Sequence, residues 1–381
     1  MEGNLIFDRI TDRKQTGSIK WDIYSGRDII PMWVADMDFA GPEPVRKALH
    51  ERVDHGVFGY TWATKRFYEA VVDWVNFRHG WEINPGWIVP MPGLVSALNV
   101  MCRAFAEQGQ EVITFTPIYQ PFLEAPVNME RELIQCPLKR ENERFTFDIE
   151  LFESMITPQT KVLLLCSPHN PVGRVWSREE LNAIADVCLK HNIIICSDEI
   201  HCDLVLDGNT HLPTAMLSSE ISDNTVTLMA PSKTFNIPGL GCSFAIIQNE
   251  RLRDKFKRAA EGIVPYPNIF GYVACEAAFN NCRNWYSQLL SYLSENARIV
   301  FDTINSLGGL RTDRVEATYL AWINIEALKL ENPHRFFEEA GVGLSDGKEF
   351  ADERYLRLNF GCPREILTQG LRRIKSAVEK L

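Results

Sequence analysis

The run Ala230-Pro231-Ser232-Lys233-Thr234-Phe235-Asn236-Ile237-Pro238-Gly239-Leu240 decides how the rest of the chain is read. It follows Thr225-Val226-Thr227-Leu228-Met229, an apolar, β-rich segment with the length of a buried strand. A lysine just past such a strand, among small and turn-forming residues, is badly placed for solubility alone. Desolvation lowers the pKa of an ammonium, and an amine tuned that way suits a Schiff-base nucleophile. By itself the lysine would pass for a surface residue on a turn. Its neighbours decide otherwise.

Upstream, Ile193-Ile194-Ile195-Cys196 and Val162-Leu163-Leu164-Leu165-Cys166 are two more apolar strands. Between them Arg178–His191 reads as a helix, with Ser177 as N-cap and Glu180 completing a capping box. A further strand at about 243–247 follows the lysine. Near-continuous apolar strands separated by helices indicate a largely parallel sheet covered on both faces, so the expected class is α/β. Ligands of such sheets bind beyond the carboxyl ends of the strands.

Three segments leaving those ends carry complementary polar groups. Ser167-Pro168-His169-Asn170-Pro171-Val172-Gly173 offers an amide pinned by prolines, Ser197-Asp198-Glu199-Ile200-His201 a carboxylate, and the third segment Lys233. A buried carboxylate stays ionised only beside a cation or several donors. A protonated pyridine nitrogen meets that need, and an amide can donate to a phenolate oxygen. Schiff base, pyridinium partner and O3′ donor are what pyridoxal 5′-phosphate (PLP) requires.

Earlier in the chain, residues 1–30 read as an arm or extended lead-in. They precede a dense aromatic and acidic turn, Pro31-Met32-Trp33-Val34-Ala35-Asp36-Met37-Asp38-Phe39, which on its own could be a packed loop with two solvated carboxylates. Helices are expected over 43–53 and 64–79, with a glycine-bounded aromatic loop, Gly56-Val57-Phe58-Gly59-Tyr60-Thr61, between them. Gly93 opens a helix running to about Phe105, leaving free N–H groups on a positive helix end. Glu111–Phe115 is a strand that Thr116-Pro117-Ile118-Tyr119 leaves in a turn. Beyond about 284, a long helix to Ser306, a β-like run Tyr319–Ile325, a helix Pro333–Ala340 and Tyr355–Phe360 suggest a smaller α+β domain. The division expected is 45–285 for the large domain and 1–44 with 286–381 for the small one.

The 381 residues suffice for two domains, and 45% hydrophobic with 24% charged residues is an ordinary globular balance. A net charge of −10 argues against nucleic acid or an anionic membrane as main partner. Ten cysteines lie scattered, many in apolar runs, with no CxxC pair. That suggests a reducing, cytoplasmic setting. No leader is expected in Met1–Leu5, and no membrane span anywhere.

Asn-Pro-x-Gly, Asp-Glu and Ser-Lys together resemble the fold-type I PLP enzymes of the aspartate aminotransferase superfamily. The segments Trp33–Phe39, Gly56–Tyr60, Cys166–Trp176, Ser197–His201 and Asn359-Phe360-Gly361-Cys362-Pro363 resemble the MalY/PatB branch of cystathionine β-lyases, from about residue 20 onward. The resemblance implies a seven-stranded sheet, a homodimer with sites at the subunit interface, and α,β-elimination on cystathionine or a related β-thioether amino acid. It further implies that Lys233 forms the Schiff base and carries the α-proton, Asp198 pairs with the pyridinium, Asn170 bonds O3′ and Tyr119 stacks on the ring. Gly93, Leu94, Ser232 and, from the neighbouring subunit, Tyr60 would hold the phosphate. His201 stands where many aminotransferases have a tyrosine. Arg357 would grip the substrate carboxylate, with Ala35, Asn170 and Tyr60 around the substrate.

The run Gly239-Leu240-Gly241-Cys242-Ser243 lacks the arginine that many aminotransferases carry there, as the lyase branch also does. An aminotransferase and a PLP-binding regulatory protein with little turnover are the alternatives. A metal site on Asp198, Glu199, His201, Cys202 and Asp203 lacks ligand spacing, and no dinucleotide or P-loop fingerprint occurs.

Overall fold

Nearly every residue of the strands Thr160–Cys166, Ile194–Asp198, Thr225–Met229 and Ser243–Ile246 is buried, which is why they form the middle of a sheet. A computed structural model describes residues 5–381, so the leader expectation for the first four residues lies outside it. Seven strands make the sheet: β1 (Ile88–Met91), β2 (Glu111–Thr116), β3 (Glu132–Pro137), β4 (Thr160–Cys166), β5 (Ile194–Asp198), β6 (Thr225–Met229) and β7 (Ser243–Ile246). Their order is β1-β7-β6-β5-β4-β2-β3. Only β7 runs against the rest, pairing antiparallel with both β1 and β6. The other neighbours pair in parallel, with Cys166 opposite Asp198 and Asp198 opposite Leu228.

Helix limits follow the local chemistry. Gly56 and Gly80 end the helices Glu43–His55 and Lys65–His79 in left-handed conformation, where a side chain would be strained. Ser177 and Glu180 form the expected capping box on Arg178–Lys190. Strand β3 and the hairpin 139–146 were not foreseen, because β3 mixes exposed polar residues with Leu133, Ile134 and Cys136 and the hairpin is largely polar. The helix Ile269–Asn281, which packs on Glu43–His55 and Lys65–His79, was also missed.

A second sheet joins Arg311–Thr312, Leu320–Asn324, Tyr355–Asn359 and Ser345–Asp346 in that order, all antiparallel. The long helix Arg283–Asn305 and the C-terminal helix Arg364–Val378 pack against each other beside it.

The N-terminal segment departs from expectation. It is no extended arm: Leu5–Asp8 and Ile19–Asp22 are short helices, Phe7 and Lys20 are buried, and Ile30–Pro31 pairs in parallel with Val342–Gly343. Nor are Asp36 and Asp38 solvated. Arg13 donates to both, and Lys20 donates to Asp38 at 2.7 Å.

Candidate active site

The carboxyl ends of five parallel strands lie at one end of the sheet, and each delivers at least one foreseen group. Gly93 and Leu94 follow β1, Tyr119 follows β2, Asn170 follows β4, Asp198 ends β5, and Lys233 follows β6. All six line one cavity of about 170 Å³, together with Ala35, His201, Ser232 and Ser243. The sheet register sets their spacing, since Ser167 N–H donates to Asp198 O at 2.9 Å and Glu199 N–H to Leu228 O at 2.8 Å.

Electrostatics single out three groups. Burial, reinforced by the nearby Arg357 cation, pulls the Lys233 amine down to about 8, against the pull of Asp36 and Asp198. Its Nζ donates to Ala35 O at 2.7 Å. Burial pushes the Asp198 carboxyl up to about 7; its one protein hydrogen bond among the described residues comes from Ile200 N–H at 3.1 Å. A carboxylate on a strand end with so little support calls for a cationic partner, and a ring N–H⁺ fits. His201 is fully buried, with Nδ1 unpartnered, and burial beside Lys233 and Arg357 holds it neutral.

Arg357 reaches the site from the second sheet. Its Nη1 donates to Asn170 Oδ1 at 3.1 Å, and its Nη2 to Trp33 O at 3.0 Å and Ser345 Oγ at 3.2 Å. The Phe350 ring lies 4.5 Å from the guanidinium carbon. With Asn170 Oδ1 engaged, the amide nitrogen of Asn170 remains as donor.

At the other end of the cavity stand Gly93, open to within 4 Å of where a Cβ would sit, and the first turn of the helix Leu94–Phe105. Ser232 and Ser243 face the same space. Among the described residues Lys233 is the only lysine or arginine lining the cavity, so an anionic end of a ligand would rest on N–H and hydroxyl donors. The donor set fits PLP at both ends.

Tyr60 is not brought into this cavity. It stands fully exposed, beside the exposed Val57, Phe58 and Trp62. Sequence reasoning also missed several site groups: Tyr319, whose OH donates to Ala35 O at 2.8 Å; Ser345; and the carbonyl of Trp33. Nothing local in the sequence marks a backbone carbonyl as a partner. A larger cleft of about 450 Å³ lies apart, between the hairpin 139–146 and the second sheet. Asp313, Glu316 and Glu180 pair with three of the arginines lining it, Arg140, Arg144 and Arg174; Arg311 and Arg314 line it as well.

Strand order and site define a fold-type I α/β enzyme scaffold, as the sequence implied. Residues 27–374 match the family model described as aminotransferase class I and II, and the chain belongs to that family. It is 38% identical to "Cystathionine beta-lyase PatB" of Bacillus subtilis (strain 168), across 98% of this chain and 99% of that one. The crystal structure of OvoB superposes with a TM-score of 0.96 at 41% identity, covering 98% of both chains. Cystalysin from Treponema denticola, whose structure contains a pyridoxal 5′-phosphate cofactor, superposes at 0.94 with 35% identity, again over 98% of both.

Proposed function

We propose that this protein is a PLP-dependent C–S β-lyase that cleaves cystathionine or a related β-thioether L-amino acid to a thiol, pyruvate and ammonia. The observation that carries the reading is the meeting of Lys233, Asp198 and Asn170 in one cavity with Arg357 bonded to Asn170. Full-length similarity to a cystathionine β-lyase supports the reaction class.

Lys233 is the attachment point for the cofactor, and its lowered pKa makes the free amine available near neutral pH. Asp198 would pair with the ring nitrogen, Asn170 would donate to O3′, and Tyr119 and His201 would wall the ring. Gly93, Leu94 and Ser232 would hold the phosphate. PLP, when bound, supplies an electron sink for the pair left at Cα, which permits the β-thiolate to depart. Arg357 grips the substrate carboxylate as a bidentate fork, pre-aimed by Trp33 O, Ser345 and the Phe350 ring. The freed Lys233 amine takes the Cα proton. Water then completes the products: one C–S bond and one C–N bond are broken, and the nitrogen leaves as ammonia.

On this reading residues 45–285 form the cofactor-binding domain, and 1–44 with 286–381 the small domain that carries Arg357 and Ala35. Tyr60 and its exposed apolar neighbours serve a second copy of the chain, reaching that copy's phosphate site. Ten free, buried cysteines fit a cytoplasmic setting, and no helix among the described residues is long and apolar enough to cross a membrane.

The test is an assay with L-cystathionine and saturating PLP. Stoichiometric pyruvate and thiol, lost in Lys233→Ala, is the expected result. Amino transfer to a 2-oxo acid without pyruvate would replace the lyase reading with that of an aminotransferase.

A further inference from the structure

We propose that Arg13 and Lys20, far from the cofactor cavity in sequence and in direct contact with none of its reactive groups, are positioning residues that set the strap Trp33–Met37 and, through it, the seats of Lys233 and Arg357. The inference rests on the reading of Lys233 and Arg357 given above.

The strap presents a row of carbonyls, each engaged by a side-chain donor. Trp33 O receives Arg357 Nη2 at 3.0 Å, and Ala35 O receives both Lys233 Nζ at 2.7 Å and Tyr319 OH at 2.8 Å. Asn359 Nδ2 donates to Val34 O and Asp36 O, and Asn236 Nδ2 to Met37 O. Backbone placement here is therefore side-chain placement in the site. A shift of a few tenths of an ångström in the strap moves the acceptors of both cations.

From the other side, the N-terminal segment holds the strap by charge. Arg13 bridges Asp36 (2.9 and 2.6 Å) and Asp38 (2.7 Å) and also donates to Met37 O at 3.2 Å. Lys20, 1% exposed, donates to Asp38 at 2.7 Å and to Asp36 O at 3.1 Å. Trp21 Nε1 donates to Asp38 at 2.8 Å, and Trp33 Nε1 returns to Lys20 O at 3.1 Å. Two cations and two carboxylates, largely out of water, are balanced only in this geometry. Charge pairs of this kind fix position more than they add stability.

Asp36 also acts on the amine through space. Its carboxylate favours the charged form of Lys233, and Lys233 in turn helps hold the Asp36 carboxyl below the usual range, with Arg13 and Lys20 the larger influences. The lock thus carries an electrostatic consequence as well as a steric one.

The experiment uses PLP-loaded protein and the variants Arg13→Met, Arg13→Lys, Asp36→Asn and the charge-neutral double substitution Lys20→Met/Asp38→Asn. Arg27→Met serves as control, because it removes the Arg27–Glu338 pair and a cation–π contact with Tyr24 and touches neither the strap nor the cavity. Two readouts are taken: kcat against KM for L-cystathionine, and the pH midpoint of the Lys233-dependent visible band. The proposal expects Arg13→Met and the double variant to raise KM about tenfold with kcat little changed. Arg13→Lys should recover much of the loss. Asp36→Asn should lower the band's pH midpoint by about half a unit, since one negative charge near the amine is gone. Arg27→Met should change neither.

Wild-type KM and midpoint in every variant would overturn the proposal, leaving Asn359 and Asn236 sufficient to hold the strap. So would a joint fall of kcat and thermal stability with an unmoved midpoint and unmoved KM. A wild-type protein with no Lys233-dependent band would instead overturn the reading of the site, and this inference with it.

Discussion

Lys233 sits between opposing influences. Burial and Arg357 lower its pKa, while Asp36 and Asp198 raise it, and the outcome is about 8 rather than the usual 10.5. The neutral amine is the nucleophile, so its fraction grows as pH rises through about 8. The rate at which apoprotein develops the visible band on addition of PLP should therefore climb between about pH 7 and 9 and level off above. A rate still rising steeply near pH 10.5 would mean an unperturbed lysine. Arg357 allows a second test at this scale. Lysine cannot reproduce its fork to Asn170, Trp33 O and Ser345, so Arg357→Lys should raise KM for L-cystathionine by about ten- to a hundredfold. Steady-state kinetics decide it. Lys233, Asp198 and Asn170 were legible in the sequence because each stands within four residues of the end of an apolar run. Tyr319 and Ser345 were not, because they enter the site from a sheet whose packing no local pattern announces.

The elements behind the lysine turn matter as much as the turn itself. Asp203, buried just after β5, accepts from Trp74 Nε1 at 3.0 Å and from Thr234 Oγ1 at 3.1 Å, while its carbonyl accepts from Tyr286 OH at 2.6 Å. Burial pushes its carboxyl up, but His79, Arg78 and the Trp74 hydrogen bond outweigh that and hold it below the usual range. His79, Cys202 and Asp203 bring ligand-type atoms within 4.8 Å of one another. Both donors occupy Oδ2, while Arg78 Nε and His79 Nε2 each stand 3.5 Å from Oδ1, so the carboxylate ties helix, loop and lysine turn together. Asp203→Ala would leave Arg78 and the indole N–H without their acceptor and should cost about 3–5 kcal/mol, read from denaturant unfolding. Gly271 makes the other tie. A Cβ there would meet Leu240 O at 2.7 Å and Gly241 O at 3.0 Å, so Gly271→Ala should destabilise by about 1–3 kcal/mol and weaken PLP retention. At this scale the buried parallel strands and the capped helices were readable from composition and period. The mixed edge strand β3 and the direction of β7 were not, since neither leaves a period that separates it from loop or parallel strand.

Across the whole molecule the site draws on distant parts of the chain: five strand ends, the strap at 33–37, and Arg357 near the C-terminus. The domain division was read from chain length and the change of element pattern near residue 284, whereas the dimer expectation came from resemblance, because charge and composition alone say nothing of how one copy covers another. If Tyr60 serves the neighbouring subunit, mixing Tyr60→Ala with Lys233→Ala protein should create hybrid sites with both groups intact, and activity should exceed that of either variant alone. No gain on mixing would mean that Tyr60 acts within its own chain or not at all. The most direct measurement remains chemical. PLP-loaded protein is reduced with borohydride, digested, and mapped by mass spectrometry. The account requires one phosphopyridoxyl adduct, on the peptide carrying Lys233. No adduct, or one on another lysine, would contradict it.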